Sequence, residues 1–345
     1  MLNAIFENAF VEDLTRQFHR SPLQVNGLQE SDAEIVRLPY QPETCLALTT
    51  DSIVEEIATG LYGPYLAGWM TVIVNMSDLA AVGARPLGIV ISEVLQPGIS
   101  TGTIGELQRG ISEACEACGT YVLGGDTNFG SHMILNGCAA GFTDKERTLS
   151  RIGCNPGDLL YSTGRPGAGN AFALAHFAFK DGPPFSYKPM ARLNEGRTVA
   201  GFASACMDTS DGVLGTLDQL MRLNNRGFEL AEHWEDFLDS ASRTMALEAE
   251  IPAWLLLAGQ HGEFELLFTI PEATEAHFIQ QAQKDGWVPL LIGKVTEEKS
   301  IRLPLYGRMV SLDTARIRNL PQQTAGDIPS YISALLAMDR ELRCA

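Results

Sequence analysis

Four short acidic motifs carry the chemistry available to this 345-residue chain. Each sets an aspartate beside Gly, Ser or Thr at what reads as a strand end or a helix start. They are Thr49-Thr50-Asp51-Ser52, Asn75-Met76-Ser77-Asp78, Gly124-Gly125-Asp126-Thr127 and Met207-Asp208-Thr209-Ser210-Asp211-Gly212. Singly, each has a bland alternative: a Ser or Asp ahead of an apolar helical run, such as Ser210 or Asp211, is as readily an N-cap as a ligand. Asp78 differs, because a bare carboxylate inside an apolar helical run is costly unless it is paired or holds a metal. Gly124 and Gly125 let backbone approach a ligand closely, and Asp126 then faces whatever sits there. Together the acids suit a magnesium polyphosphate site, since Mg²⁺ takes about six oxygen ligands, keeps several waters, and is held by a few carboxylates plus substrate phosphates. No GxxxxGK[ST] pattern and no kinase HRD or DFG set is present, which leaves acids with metals and helix N-termini to hold a nucleotide.

Composition narrows the partners. Asp and Glu outnumber Lys and Arg by 42 to 25, a net charge of −17 that repels nucleic acid and anionic lipid. With 45% apolar residues the chain can bury a sizeable core, and its length exceeds the roughly 100 to 200 residues of one domain. Glu7, Glu12 and Asp13 stand where a secretory leader needs basic and apolar residues. The most apolar region, 70–95, is interrupted by Asp78, Arg85 and Glu93, so no membrane span is expected and the chain reads as soluble and cytoplasmic. Seven scattered cysteines fit reduced thiols, and the lone CxxC of Cys115 and Cys118 falls in a helical pattern, where small buried residues are the favoured reading.

The elements that must position these acids follow from periodicity and turn signals. An apolar run over 44–50 predicts a strand delivering Asp51 at its carboxyl end. Leu66, Met70, Val74 and Leu79 space a helix over 66–82, followed by a strand over 87–95 and a helix over 106–118. A short strand over 121–123 opens onto the Gly124-Gly125-Asp126-Thr127 motif, and 133–142 is a further strand. The turn cluster Asn155-Pro156-Gly157-Asp158 marks a boundary between 145 and 156. Beyond it, strands fit 159–163, 264–270 and 290–295, and helices fit 170–179, 211–223 and 272–284. The first roughly 30 residues and the segment after Gln322 read as peripheral. The alternation describes an α/β or α+β protein.

In order, TTDSIVEE, GWMTVIVNMSDLAAVGARPLG, LGGDT, PGDLLYSTGRPGAG, MDTSDGVLGTLDQL and GEFELLFTIP closely resemble the thiamine-monophosphate kinase family, over about residues 29–295. That family is related to aminoimidazole ribonucleotide synthetase, selenophosphate synthetase and a hydrogenase maturation factor. The resemblance implies a two-domain aminoimidazole ribonucleotide synthetase-like fold. A peripheral segment, 1–28, would precede an ATP-, Mg²⁺- and dimer-forming domain, 29–147, and a second α/β domain, 148–345. The amino-terminal sheets of a homodimer would pair into a barrel, ATP and Mg²⁺ would lie in the cleft, and the γ-phosphate would pass directly to thiamine monophosphate. It makes Thr50, Asp51, Asp78, Asp126, Asp208 and Asp211 metal or phosphate-side ligands, with Asp126, Asp211 and Arg151 as the catalytic set. Gly124, Gly125 and Ser210 would contact ATP, and Arg151 would hold a phosphate through its bidentate guanidinium.

The departures fall on the acceptor side. The family's GDDAA is Glu30-Ser31-Asp32-Ala33-Glu34 here, so coordination there would rest on Asp32 with Glu30 beside it. The substrate-contacting His of the family's VEGVHF is Ala58, and the arginine expected after GGDT is replaced by Asn128 and Phe129. GEDYELLF is shortened to GEFELLF, leaving Glu263 and Glu265 as the nearest acids for the substrate. The family's closing aromatic motif is not recognisable near the tail. Three readings therefore stand: a thiamine-monophosphate kinase, an ATP-using relative with another small acceptor, and a non-catalytic nucleotide-binding protein.

Overall fold

The computed structural model describes residues 4–179 and 185–344. The first half runs α1 (Phe6–Thr15), β1 (Glu34–Leu38), β2 (Gln41–Ile53), α2 (Glu55–Ala58), α3 (Pro64–Ala81), β3 (Arg85–Leu95), α4 (Thr101–Cys118), β4 (Val122–Phe129) and β5 (Ile134–Asp144). The second half begins with β6 (Leu159–Ser162), α5 (Ala168–Ala178), α6 (Leu193–Val199), β7 (Ala205–Asp208), α7 (Gly212–Asn224), β8 (Gly227–Leu230) and α8 (Ser240–Glu248). It continues through α9 (Leu255–Ala258), β9 (Leu266–Ile270), α10 (Glu275–Lys284), β10 (Leu290–Thr296), β11 (Ile301–Leu305), β12 (Arg308–Leu312), α11 (Thr314–Gln323) and α12 (Ile328–Cys344). These strands form two mixed sheets, β1-β2-β5-β3-β4 and β12-β11-β8-β10-β6-β9-β7. The expected mixed α/β class is what the chain adopts.

Helix α3 decides how the sheets meet. It is apolar on nearly every side, with 14 of its 18 residues buried, and a helix without a polar face must be covered all round. β2, β5 and α4 cover it from the first half, while α6 and β7 cover it from the second. Its core therefore joins Met70, Ile73 and Met76 to Phe268 and Phe278 of the other sheet's layer. A second core lies under the larger sheet and takes in Leu217, Phe228, Leu303 and Ile317.

Several sequence expectations need correction. β2 runs on to Ile53 because its pairing with β5 continues through Ser52↔Asn136, so Asp51 lies inside the strand and not at its end. The Gly-Gly-Asp-Thr motif likewise lies inside β4, carried along by parallel pairing with β3. The tail after Gln322 is not peripheral: Leu335 and Met338 of α12 pack into the second core, and Trp254 Nε1 donates to the buried Asp339 at 2.7 Å. α1 does remain on the surface, held by polar bonds such as Asn8 Nδ2 to Gln219 Oε1 at 2.9 Å. Among the described residues, no helix is long and apolar enough to cross a membrane.

Helices α3 and α4 cross where neither can carry a side chain. A Cβ on Gly68 would stand 2.0 Å from the Leu107 carbonyl, and one on Gly110 would stand 2.1 Å from the Tyr65 carbonyl. Gly110→Val is therefore expected to force the helices apart and cost about 1–3 kcal/mol, read as a lower urea midpoint. Gly105→Ala, at an exposed position of the same helix with open space around it, should instead stabilise by about 0.5–1 kcal/mol.

Candidate active site

Asp32 before β1, Asp78 on α3 and Asp208 at the end of β7 each place a carboxylate oxygen within 4.8 Å of the others. Three structural layers thus converge on one point. Arg151 enters from the segment linking the halves and donates from Nη2 to Asp32 Oδ1 at 2.9 Å. The other oxygen, Asp32 Oδ2, is buried without a hydrogen-bond partner. Hydroxyls supply the remaining donors: Thr49 Oγ1 donates to Asp78, Ser77 Oγ to Asp208 Oδ2 at 2.6 Å, and Ser210 Oγ to Asp208 Oδ1 at 3.0 Å. Burial pushes Asp78 well above the carboxylate range, and the charges of Asp51, Asp208 and Asp32 add to it. Asp208 is pushed up to about 7, again by burial and then by Asp32. For Arg151, burial works against the charge, but Asp32, Asp208 and Asp78 hold it protonated.

The other predicted residues divide around this centre. Asp51 and Asp211 lie within electrostatic reach of Asp32; partial loss of water, then Asp211, Asp32 and Glu56, raises Asp51 to about 6. Asp211 occupies the N-cap position of α7, yet its side chain makes no capping bond, and Ser210 spends its hydroxyl on Asp208. The capping alternative is therefore not what these two residues do. Glu30 turns away, accepting from the Gly27 backbone N–H at 2.5 Å.

Thr50 and Asp126 are not brought to the carboxylate trio. Side chains alternate across a sheet, and the rows Ser52–Asn136–Ser92–Asp126 and Thr50–Cys138–Val90–Gly124 face away from α3. Thr50 Oγ1 donates to the Gly137 carbonyl at 2.8 Å, and Asp126 Oδ2 accepts from Asn128 Nδ2 at 2.6 Å. Gly125 has a packing reason to be glycine, because a Cβ there would lie 1.9 Å from the Ile91 carbonyl. Gly124 stands one row away on the outer face.

Glu265 is consumed internally, whereas Glu263 is held through one oxygen and keeps Oε1 buried without a hydrogen-bond partner. The shortened motif turns at Phe264, φ +60°, with both acids buried. Glu265 takes a two-point ion pair from Arg192, with Nε to Oε2 at 2.7 Å, and accepts from Thr163 Oγ1 at 2.6 Å. Glu263 Oε2 accepts from the Gly167 N–H at the start of α5, at 2.9 Å, and burial pushes this acid up to about 8.

A cavity of about 320 Å³, lined by none of the trio, opens between α2, α5 and α12. Leu174, Phe177, Leu255 and Leu335 give it an apolar wall, while Glu55, Glu56, His261 and Tyr331 are its main polar groups. No Lys or Arg lines it among the described residues. Glu56 reaches the edge of the carboxylate site, since its charge acts on Asp51. Ala58, Glu263 and Glu265 are not among the lining residues.

A family model described as AIR synthase related protein, N-terminal domain, matches residues 30–143. A thiamine-monophosphate kinase of Methanospirillum hungatei is 31% identical over 278 residues, covering 79% of this chain and 88% of that protein. The chain belongs to the thiamine-monophosphate kinase family. Among solved structures, AaThiL complexed with AMPPCP and TMP aligns with a TM-score of 0.70 at 21% identity, covering 88% of this chain and 93% of that one. The hydrogenase maturation protein HypE of E. coli aligns with a TM-score of 0.67 at 19% identity, over 88% of this chain and 96% of that one. At these identities the likeness is one of fold.

In this member of the thiamine-monophosphate kinase family, the residues overlooked in the sequence are the supporting ones. Asn75 and Ser77 are fully buried polar residues on an otherwise apolar helix, which is a readable signal. Asn75 Oδ1 accepts from the Asp51 backbone N–H at 3.1 Å. The elevated carboxyls also carry a stability signature. Below about pH 4 both states hold their protons; between about pH 4 and 7 the unfolded chain ionises while Asp208 and Asp51 resist, so stability falls. In EDTA the melting temperature should therefore drop from pH 5 to pH 8, and Mg²⁺ should recover most of the loss at pH 8; a flat profile in EDTA would contradict the shifts.

Proposed function

We propose that the chain transfers the γ-phosphoryl group of ATP to the phosphate of thiamine monophosphate, giving ADP and thiamine diphosphate. The observation that carries this is the unpartnered, buried Asp32 Oδ2 inside a trio of carboxylates that, among the described residues, Arg151 alone pairs with and partly neutralises. Such a donor set fits a hard divalent cation. Asp32, Asp78 and Asp208 would hold Mg²⁺, with Asp51 and Asp211 at the cleft side. Bound there, Mg²⁺ would supply charge neutralisation for the polyphosphate.

The chain's own residues do the positioning. Arg151 fixes Asp32 through Nη2 and keeps a buried Nε without a protein partner, the group from which a phosphate contact could form. Ser77, Thr49 and Ser210 hold the carboxylates in place by donating to them. The cavity, acidic at its edge and free of Lys and Arg among the described lining residues, suits the cationic, flat body of thiamine. The acceptor's phosphate then has to lie outward, at the metal end, where in-line transfer requires it. A family relationship to thiamine-monophosphate kinases supports the same substrate pair.

The outer face of the first sheet exposes Leu87, Val90, Leu123 and Phe142, and edge strand β4 has one side unpaired. We place a homodimer contact there, with the two sheets closing a barrel and Gly124, Gly125, Asp126 and Thr50 completing the nucleotide side. Residues 29–147 and 148–345 are the two proposed domains. The free state of the described cysteines fits the reducing cytoplasm. One observation favours another small acceptor: Ala58 offers no side-chain hydrogen bond to a substrate.

Product analysis by mass spectrometry should find thiamine diphosphate only when ATP, thiamine monophosphate and Mg²⁺ are all present. Asp78→Asn should lower kcat by at least about 100-fold, in the range of lost electrostatic contacts, and abolish stabilisation by Mg²⁺. The same variant should melt no lower than the parent in EDTA, because it removes a like charge from the buried trio. Light scattering should give a dimer at micromolar concentration. Mg²⁺-independent ATP binding, or ADP formation without thiamine diphosphate, would overturn the kinase reading.

A further inference from the structure

Arg151 reaches the carboxylate trio from a segment that is fastened on both sides. Its backbone N–H donates to the Glu30 carbonyl at 2.9 Å, and its own carbonyl accepts from Asn224 Nδ2 at 2.8 Å. Next to it, Ser150 Oγ donates to the same Glu30 carbonyl at 2.9 Å, while the Ser150 carbonyl accepts from the Cys206 N–H of β7 at 2.9 Å. The segment thus ties the loop that carries Asp32 to the strand that carries Asp208. From it the guanidinium turns to Asp32: Nη2 donates to Oδ1 at 2.9 Å, Nη1 donates to the Gln29 carbonyl at 3.3 Å, and the buried Nε has no partner. Only 17% of the Arg151 side chain and 1% of the Asp32 side chain are exposed, so water and salt screen this pair little. Among the described residues no other Lys or Arg pairs with Asp32, Asp78 or Asp208, although all three carboxylates act on this one guanidinium.

We propose that Arg151 is the resident counter-ion of the carboxylate trio, competing with Mg²⁺ for Asp32 and releasing that carboxylate fully only when a polyphosphate takes the guanidinium instead. This rests on the Mg²⁺ site of the kinase reading above. Like charges repel most where water is excluded, so a guanidinium on Asp32 Oδ1 opposes a divalent cation drawn to Oδ2 of the same carboxylate. A phosphate reverses that balance, because it brings negative charge for both cations and matches the side-by-side Nε and Nη2 donors of an arginine. Of that fork, Nε is already without a protein partner. Arg151 therefore acts on the metal through Asp32, as a positioning residue, and couples metal binding to nucleotide binding. A residue that only packed the site would weaken both ligands when removed. A counter-ion gives effects of opposite sign.

The test is calorimetric titration of the full-length protein at pH 8 and fixed ionic strength, first with Mg²⁺ alone and then with AMPPCP at saturating Mg²⁺. Arg151→Gln should bind Mg²⁺ alone about tenfold more tightly than the parent, since an opposing charge is gone, and AMPPCP about tenfold more weakly, since the phosphate loses its fork. Arg151→Lys keeps the charge without the fork, so it should bind Mg²⁺ alone within about twofold of the parent while still losing AMPPCP affinity. Should Arg151→Gln unfold in EDTA, its refolding is titrated with Mg²⁺, which should replace the missing charge; a variant still unfolded at saturating Mg²⁺ would overturn the assignment. Unchanged or weaker Mg²⁺ binding in folded Arg151→Gln, or the same gain in Arg151→Lys, would also overturn it and leave the kinase reading standing. Absence of Mg²⁺ binding in the parent and in both variants would remove the metal site of the kinase reading, and this assignment with it.

Discussion

Three carboxylates held within a few ångströms and largely shut off from water are the constraint around which the rest of the molecule is arranged. At such distances like charges in a low-dielectric setting repel strongly, and desolvation alone already favours protonation. The protein answers with a single guanidinium and a ring of hydroxyl donors, which is not enough to satisfy every oxygen. A structural site would be expected to finish that task, as Glu265 is finished by Arg192 and Thr163. The trio is instead left short of positive charge at the place where two halves of the chain meet, and this shortfall is what a divalent cation with its phosphate ligands can supply.

Helix α3 is the means by which that shortfall is maintained. Being apolar all round, it cannot leave the interface between the two sheets, so Asn75, Ser77 and Asp78 are carried into the middle of the protein with it. One turn of this helix then serves both halves: Asn75 holds the Asp51 backbone in the first sheet, and Ser77 holds Asp208 from the second. Glycines 68 and 110 let α4 press against the helix and fix its depth. Folding energy and site geometry are consequently the same set of contacts. Any change that shifts α3 by a fraction of a turn moves one carboxylate relative to the two that come from other elements.

How much of this could be read from residues alone differs by motif. Asp78 was legible because an acid in an apolar run has few physical excuses, and Asp208 through the resemblance of the motif that carries it. From β2 to β5 the alternation of strands and helices was legible from periodicity, whereas β1, β7, β8, β11, β12 and the closing helices α11 and α12 were not. The placement of Asp126 and Thr50 was not, since a one-residue step along a strand reverses the face, and which face packs on α3 is decided by pairing with β5 and β3. Glu263 and Glu265 looked like substrate acids because nothing local reveals that Arg192 and the start of α5 claim them. The cavity lined by His261 and Tyr331 was not legible either, because it forms only where α12, which reads as a peripheral tail, folds back onto the second core.

The two ends of the site also answer to different physics. At the carboxylate end, charge is the determinant, and the same few acids would serve any polyphosphate whose oxygens reach a cation held there. At the cavity end, shape and a small number of neutral hydrogen bonds do the selecting, in surroundings where an unpaired group is penalised and a stray anion has no Lys or Arg to meet among the described lining residues. Glu56 sits between them, belonging to the cavity wall yet felt by Asp51. A ligand that spanned both ends would therefore be sorted in direction as well as in kind: an anionic group would be repelled from the cavity by Glu55 and Glu56 and drawn to a cation held by the carboxylates, while a cationic ring would be favoured in the reverse sense. That polarity can change its acceptor through residues of the cavity wall without disturbing Asp32, Asp78 and Asp208, which is how a nucleotide-side set can be kept while the acceptor side of the same chain departs from the family pattern.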